Sequence, residues 1–157
     1  MNATAVASAP APDPAAGGRP APGPRLLIGT DLVAVERIES LLADRDDLAQ
    51  QLFTERELAY CAGRARRRAD HLAARFAAKE AVMKALGVGA TVPWCDIEVV
   101  NSVDGRPGLR LHGRAAQVAR QRGVTESDIS LSHTAGLAMA CAVLVCAGKT
   151  ERDRTLT

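Results

Sequence analysis

The stretch Ala69-Asp70-His71-Leu72-Ala73-Ala74-Arg75-Phe76-Ala77-Ala78-Lys79-Glu80-Ala81-Val82-Met83-Lys84-Ala85-Leu86, followed by Gly87-Val88-Gly89, decides how the rest of the chain folds. Leu72, Phe76, Met83 and Leu86 recur at helical spacing and make an apolar stripe, so a long helix is predicted over residues 69–86. Gly87 and Gly89 stop it, because glycine is the residue most at ease just past a helix end. Glu80 lies one turn beyond Phe76, at the border of the stripe. Lys84 lies one turn beyond Glu80, so the two charged groups point the same way.

Upstream, Leu26-Leu27-Ile28-Gly29 reads as a buried strand that ends near Asp31. Residues 36–52 carry Ile38, Leu41, Leu42, Leu48 and Leu52 at helical spacing and are predicted as one helix. Thr54-Glu55-Arg56-Glu57 is a capping box, in which a threonine N-cap and a glutamate three residues on satisfy each other's backbone, so another helix starts there. Downstream, residues 97–101 and 108–112 read as strands around the turn Asp104-Gly105-Arg106-Pro107. A short helix over 114–122 ends at Gly123, and strands over 128–132 and 137–145 are joined through His133-Thr134-Ala135-Gly136. The expected fold is α+β: a small mixed domain with a mostly antiparallel sheet packed on the long helix. No internal repeat is visible.

The 157 residues suffice for one domain with a core. Residues 1–24 are nearly all Ala, Pro and Gly and are expected to be a disordered tail, a processed leader being the alternative. The domain proper is expected over 25–147, with a polar C-terminal tail over 148–157. No run of about 18 apolar residues occurs, which argues against a membrane span. A net charge of +2 and only four aromatic side chains offer little to a nucleic acid. Cys61, Cys95, Cys141 and Cys146 form no C-x-x-C pair, and His71, His112 and His133 are scattered, so no zinc site is expected. Reduced thiols favour the cytoplasm.

Three groups of residues could carry chemistry. Asp31 ends an apolar strand and Glu80 borders a helix's core stripe. Carboxylates at such edges need hydrogen bonds or a metal, and Mg²⁺ commonly takes one or two of them together with waters and phosphate oxygens. The alternative is that Asp31 caps the next segment and Glu80 pairs with Lys84. Arg66, Arg67 and Arg68 precede the long helix, and Arg75, Lys79 and Lys84 lie on it. Such converging donors suit a phosphate-rich coenzyme, while a solvated basic face is the alternative. His133, between Ser132 and Thr134, either holds an anion or satisfies a turn.

Taken together, five blocks resemble the holo-acyl-carrier-protein synthases, a family of 4′-phosphopantetheinyl transferases. The blocks are Ile28-Gly29-Thr30-Asp31-Leu32-Val33, Phe53-Thr54-Glu55-Arg56-Glu57, the stretch from Arg75 to Gly89, Trp94-Cys95-Asp96-Ile97-Glu98 and Ser130-Leu131-Ser132-His133-Thr134. They follow in the family's order and spacing across residues 25–147. The resemblance implies a homotrimer with active sites between protomers. It implies a Mg²⁺-dependent enzyme that moves the phosphopantetheine arm of coenzyme A onto a serine of an apo acyl carrier protein or carrier domain, as fatty-acid and related lipid synthesis requires. Adenosine 3′,5′-bisphosphate is released.

By match of position, Asp31 and Glu80 would hold the metal, and Lys84 would contact the diphosphate. Arg66, Arg67, Arg75 and His133 would bind the ADP portion, with Gly87, Gly89, Arg106 and Pro107 near the nucleotide. Glu80, directly or through a metal-bound water, would take the serine proton. A CoA- or nucleotide-binding module without transfer activity would not need both acids.

The chain departs from the family pattern in places. Met83 stands where a serine or another small residue is common, and Val88 where a threonine is common. The family docks an acidic carrier protein on basic residues of its first helix. Here Arg37 and Arg45 are accompanied by Glu36, Glu39, Asp44, Asp46 and Asp47. The carrier protein is therefore expected to be less acidic than usual, or to be held through Leu41, Leu48 and their neighbours, with weak salt dependence.

Overall fold

The computed structural model describes residues 23–43, 45–64 and 67–147. Asp44 and Arg66 lie outside them, as do nearly all of the expected N-terminal tail and the whole of the C-terminal one.

The first strand, β1 (Arg25–Ala34), continues past Asp31, and its buried and exposed positions alternate as in a strand with one face on the core, Leu26, Ile28 and Leu32 pointing outward. Helices α1 (Val35–Leu42), α2 (Asp46–Leu52) and α3 (Glu55–Ala62) lead to the long helix α4 (Arg68–Leu86). Two short 3₁₀ turns follow, then the hairpin of β2 (Ile97–Asn101) and β3 (Pro107–Leu111). Helix α5 (Gly113–Gln121) precedes strands β4 (Val124–Thr134) and β5 (Leu137–Cys146). A three-stranded sheet has the order β1-β5-β4, and all its pairings are antiparallel. The first and last strands are therefore hydrogen-bonded neighbours, and one face of the sheet they form is buried.

That face is filled by α4. From Leu72 to Leu86 every residue of α4 is buried except Glu80 and Lys84. The helix approaches closely because both surfaces are made of small residues. Ala138, Ala140 and Ala142 line β5, and Ala73, Ala77, Ala78 and Ala81 face them from the interior, all at 0% exposure. At Gly29 even a methyl group would be too much: a Cβ there would collide with the Ala81 carbonyl oxygen. The helix ends at Gly87, whose left-handed backbone (φ 59°) lets its N–H return to the last helical carbonyls.

The predicted elements are present, with two differences of consequence. The single helix expected over 36–52 is two helices. Neither glycine nor proline separates them; α1 packs on α4 while α2 packs on the turn at Trp94–Asp96, so tertiary contacts override helix propensity. Strand β4 starts at Val124 rather than Asp128, with a bulge between Val124 and Glu126 that restores its register with β5. The capping box at α3 forms as expected: Thr54 Oγ1 accepts from the Glu57 N–H at 3.3 Å, and the Thr54 N–H donates to Glu57 Oε2 at 2.9 Å.

Candidate active site

Asp31 sits on the helix-facing side of β1, two residues beyond the close contact at Gly29. Lys84, on α4, reaches it: Nζ donates to Asp31 Oδ1 at 2.7 Å and to the Thr30 carbonyl at 3.1 Å. The Asp31 side chain is 15% exposed and that of Lys84 52%, so this pair lies at the mouth of a gap in the helix's covering. Glu80 lies in the same gap, one helical turn before Lys84. No ion pair among the described residues involves Glu80.

Two alternatives raised by the sequence are thereby removed. Asp31 does not cap α1, whose N-cap is Ala34 with no side-chain cap. Lys84 pairs with Asp31 across the strand–helix contact, not with Glu80 along the helix. Asp31 lies at this opening with Lys84, and Glu80 is the one other residue of α4 between Leu72 and Leu86 that is not fully buried. This donor set suits Mg²⁺, which keeps several waters and is rarely caged by protein alone.

The other lysine of the motif turns inward. Lys79 Nζ pairs with Glu57 Oε2 at 2.8 Å, both side chains at 0% exposure, and donates to the carbonyls of Trp94 (3.0 Å) and Ile97 (2.6 Å). Glu57 also accepts from the Val99 N–H at 3.0 Å. The buried pair thus ties α3, α4 and β2 together with every charged atom hydrogen-bonded. Burial pulls Lys79 below the ordinary lysine range, and Glu57 opposes that pull. The sequence placed Lys79 on a basic face; its long-range partners place it in the core instead.

Most of the expected anion-binding residues gather elsewhere, around the start of α4 and the end of β4. Arg67 lies 3.3 Å from His133 Nε2. His133 meets His71 edge-on with ring centres 5.9 Å apart, and His71 meets Tyr60 edge-on at 5.7 Å. Arg64 lies 3.7 Å over the Tyr60 ring and Arg75 4.0 Å from it. Arg75 is only 2% exposed; it donates to Asn101 Oδ1 at 2.7 Å and to the His71 carbonyl at 3.3 Å, while its Nε has no partner.

Arg106 pairs with Asp128 on β4 at 2.6 Å. With Pro107 and Arg56 it lines a cleft of about 560 Å³ between the hairpin and the sheet. Gly87 and Gly89, by contrast, follow the far end of α4, beside Lys84. Tyr60 and His71 were not singled out by sequence. Tyr60 is the chain's one tyrosine, and its place two residues before the end of α3 was the available signal.

Of the expected carrier-docking residues, Arg37 and Arg45 are exposed, whereas Leu41 and Leu48 are half-buried against the core. The outer face of the sheet carries a further feature. Leu26, Ile28 and Leu32 of β1 and Leu137 and Met139 of β5 are all exposed, and the register places them on one surface.

Residues 27–142 match the profile of a family described as the 4′-phosphopantetheinyl transferase superfamily. A holo-[acyl-carrier-protein] synthase of Moorella thermoacetica is 47% identical over 120 residues, covering 76% of this chain and 93% of that protein. One from Geobacter sulfurreducens is 43% identical over 119 residues, covering 74% and 94%. Among solved structures, the holo-ACP-synthase of Plasmodium yoelii superposes with a TM-score of 0.70 at 30% identity, covering 80% of this chain and 98% of that one. The complex of a Chronobacterium ammoniagenes synthase with CoA gives 0.69 at 29% identity, covering 80% and 99%.

Proposed function

The chain belongs to the 4′-phosphopantetheinyl transferase superfamily, among the holo-[acyl-carrier-protein] synthases, and from that membership we propose how its residues divide the work. The enzyme transfers the phosphopantetheine arm of coenzyme A to a serine of an apo acyl carrier protein and releases adenosine 3′,5′-bisphosphate. The observation that carries the site assignment is the Asp31–Lys84 pair, with Glu80 one helical turn before Lys84 and these two the only residues of α4 between Leu72 and Leu86 that are not fully buried.

Asp31 and Glu80 hold Mg²⁺, which when bound neutralises charge on the coenzyme diphosphate. Lys84 leaves Asp31 for the diphosphate and stabilises the oxygen that departs with the nucleotide; its half-exposed, flexible stem permits the move. The carrier serine attacks the phosphorus next to the pantetheine, in line with that leaving oxygen. Glu80 accepts the proton from the serine Oγ.

The protein works as a homotrimer with sites between protomers. Two observations support this. The apolar outer face of the sheet is a surface that a second copy would cover. Within one protomer, His133 is on β4 and Asp31 on β1, opposite edges of the sheet, with α4 resting between. His71 and Lys84 are separated by about 20 Å along the helix, at about 1.5 Å per residue. The 3′-phosphate of coenzyme A is one ribose away from the diphosphate, so a neighbouring protomer's cluster serves the acids better than the protomer's own. Arg66, Arg67, Arg75, Arg106, Pro107 and His133 then form the ADP side, and Gly87 and Gly89 flank Lys84.

The carrier protein docks on the outer side of α1 and α2, through Arg37 and Arg45 with Leu41 and Leu48 behind them. Four free thiols support residence in the reducing cytoplasm. No helix among the described residues is long and apolar enough to cross a membrane.

Incubation with CoA, Mg²⁺ and a panel of apo carrier proteins, read by intact mass, tests the reading. A gain of about 340 Da on one carrier, the mass of the transferred arm, is expected. No gain on any carrier would sink it.

A further inference from the structure

The cluster around His71 is a concentration of positive charge without matching acid. Tyr60 and Arg64 face it from α3 and the turn after it, Arg67 from the cap of α4, Arg75 from α4 itself, and His133 from β4. Among the described residues the one carboxylate paired with these cations is Asp70, whose Oδ2 is 4.0 Å from Arg67 Nε. Arg67, whose guanidinium can only donate, lies within 3.4 Å of both ring nitrogens of His133. Arg75 Nε is buried with no acceptor. Such an arrangement is completed by an anion that accepts from several sides.

We propose that His71 joins His133, Arg64 and Arg67 in seating the terminal phosphate monoester of the coenzyme, and that it takes a proton from solvent as that phosphate arrives. The inference rests on the coenzyme reading given above and adds to it a residue and a proton. A phosphate monoester brings close to two negative charges and three acceptor oxygens, enough for the facing donors. Without it, burial and then Arg75, Arg64, His133 and Arg67 hold His71 below its ordinary value of 6.5. The dianion reverses the local field, and a ring nitrogen of His71 gains a proton and donates to phosphate. The edge-on contacts with Tyr60 and His133 fix the ring in place for that role.

Calorimetric titration of the full-length protein with CoA and with 3′-dephospho-CoA tests this, in two buffers of different ionisation enthalpy at pH 6.5. Wild-type protein is expected to take up roughly 0.3 proton more than His71→Gln on binding CoA, the scale of one histidine near its midpoint. The difference should vanish with 3′-dephospho-CoA. Ionisation of the phosphate itself is common to both proteins and cancels in the comparison. Equal proton uptake by wild type and variant overturns the role of His71 while the coenzyme reading stands; failure of the wild type to bind CoA at all overturns both. Should His71→Gln not fold, the ring resonances of His71 in the wild type carry the test. They should titrate at higher pH in the CoA complex than in the free protein, and an unmoved titration defeats the proposal.

Discussion

Two lysines of α4, five positions apart, each meet a carboxylate at almost the same distance, and their surroundings could hardly differ more. Lys79 and Glu57 are 2.8 Å apart with no exposure, and both are fully engaged by backbone groups. Lys84 and Asp31 are 2.7 Å apart at an opening, with Lys84 half in water. Distance alone therefore says nothing about role. A buried pair with every hydrogen bond satisfied holds three elements in register and cannot move without leaving a charge stranded. A pair at an opening can separate at little cost, so Lys84 is free to exchange Asp31 for a ligand.

The contrast can be broken most directly at the buried pair. Lys79→Met leaves Glu57 buried without its cation and should destabilise the protein by about 3–5 kcal/mol, measured by denaturant unfolding. Pairing it with Glu57→Leu should recover part of that loss, because the two costs are not additive. The open site should behave in the reverse manner. Glu80→Gln is expected to slow carrier modification by about 100-fold or more while the unfolding midpoint barely moves; a near-wild-type rate would remove Glu80 from the mechanism. Lys84→Ala should cost no more than about 1 kcal/mol of stability, yet slow transfer by at least about tenfold through the lost support of the leaving oxygen.

Smaller effects sharpen the comparison at the periphery. Folded His71 is held below 6.5, so below neutrality the unfolded chain binds more protons than the folded one. Stability should therefore fall as pH drops through the range below about 6.5, and His71→Gln should flatten that part of the profile in thermal melts. The smallest expected effect is at the carrier surface. With Glu36, Glu39, Asp46 and Asp47 around Arg37 and Arg45, KM for the carrier protein should rise only weakly with ionic strength. A steep rise would show that the two arginines dominate docking.

Much of this was legible in the chain because the signals were local. The apolar stripe of α4, the glycines that end it, the capping box at Thr54 and the turn at Asp104–Pro107 each depend on residues within a few positions. The pair Asp31 and Glu80 could be named from register, and the fold brings their elements into contact. What the sequence did not disclose depends on partners far along the chain. Lys79 reads as a surface cation until Glu57 and Val99 are folded around it. The burial of Arg75 is likewise invisible until Asn101 and Tyr60 enclose it. The break between α1 and α2 has no local cause, so no local pattern could reveal it.

The contact at Gly29 has a consequence for metal binding on heating. Strand and helix touch there backbone to backbone, so the spacing of the segments bearing Asp31 and Glu80 is set by atomic radii and not by adjustable side chains. Loosening of α1, α2 or the hairpin leaves that spacing intact. On slow heating, loss of metal binding should accordingly follow the melting of the β1–α4 contact, later than the first peripheral changes. A single added methyl, Gly29→Ala, should bring that loss forward to the temperature at which the outer helices begin to loosen.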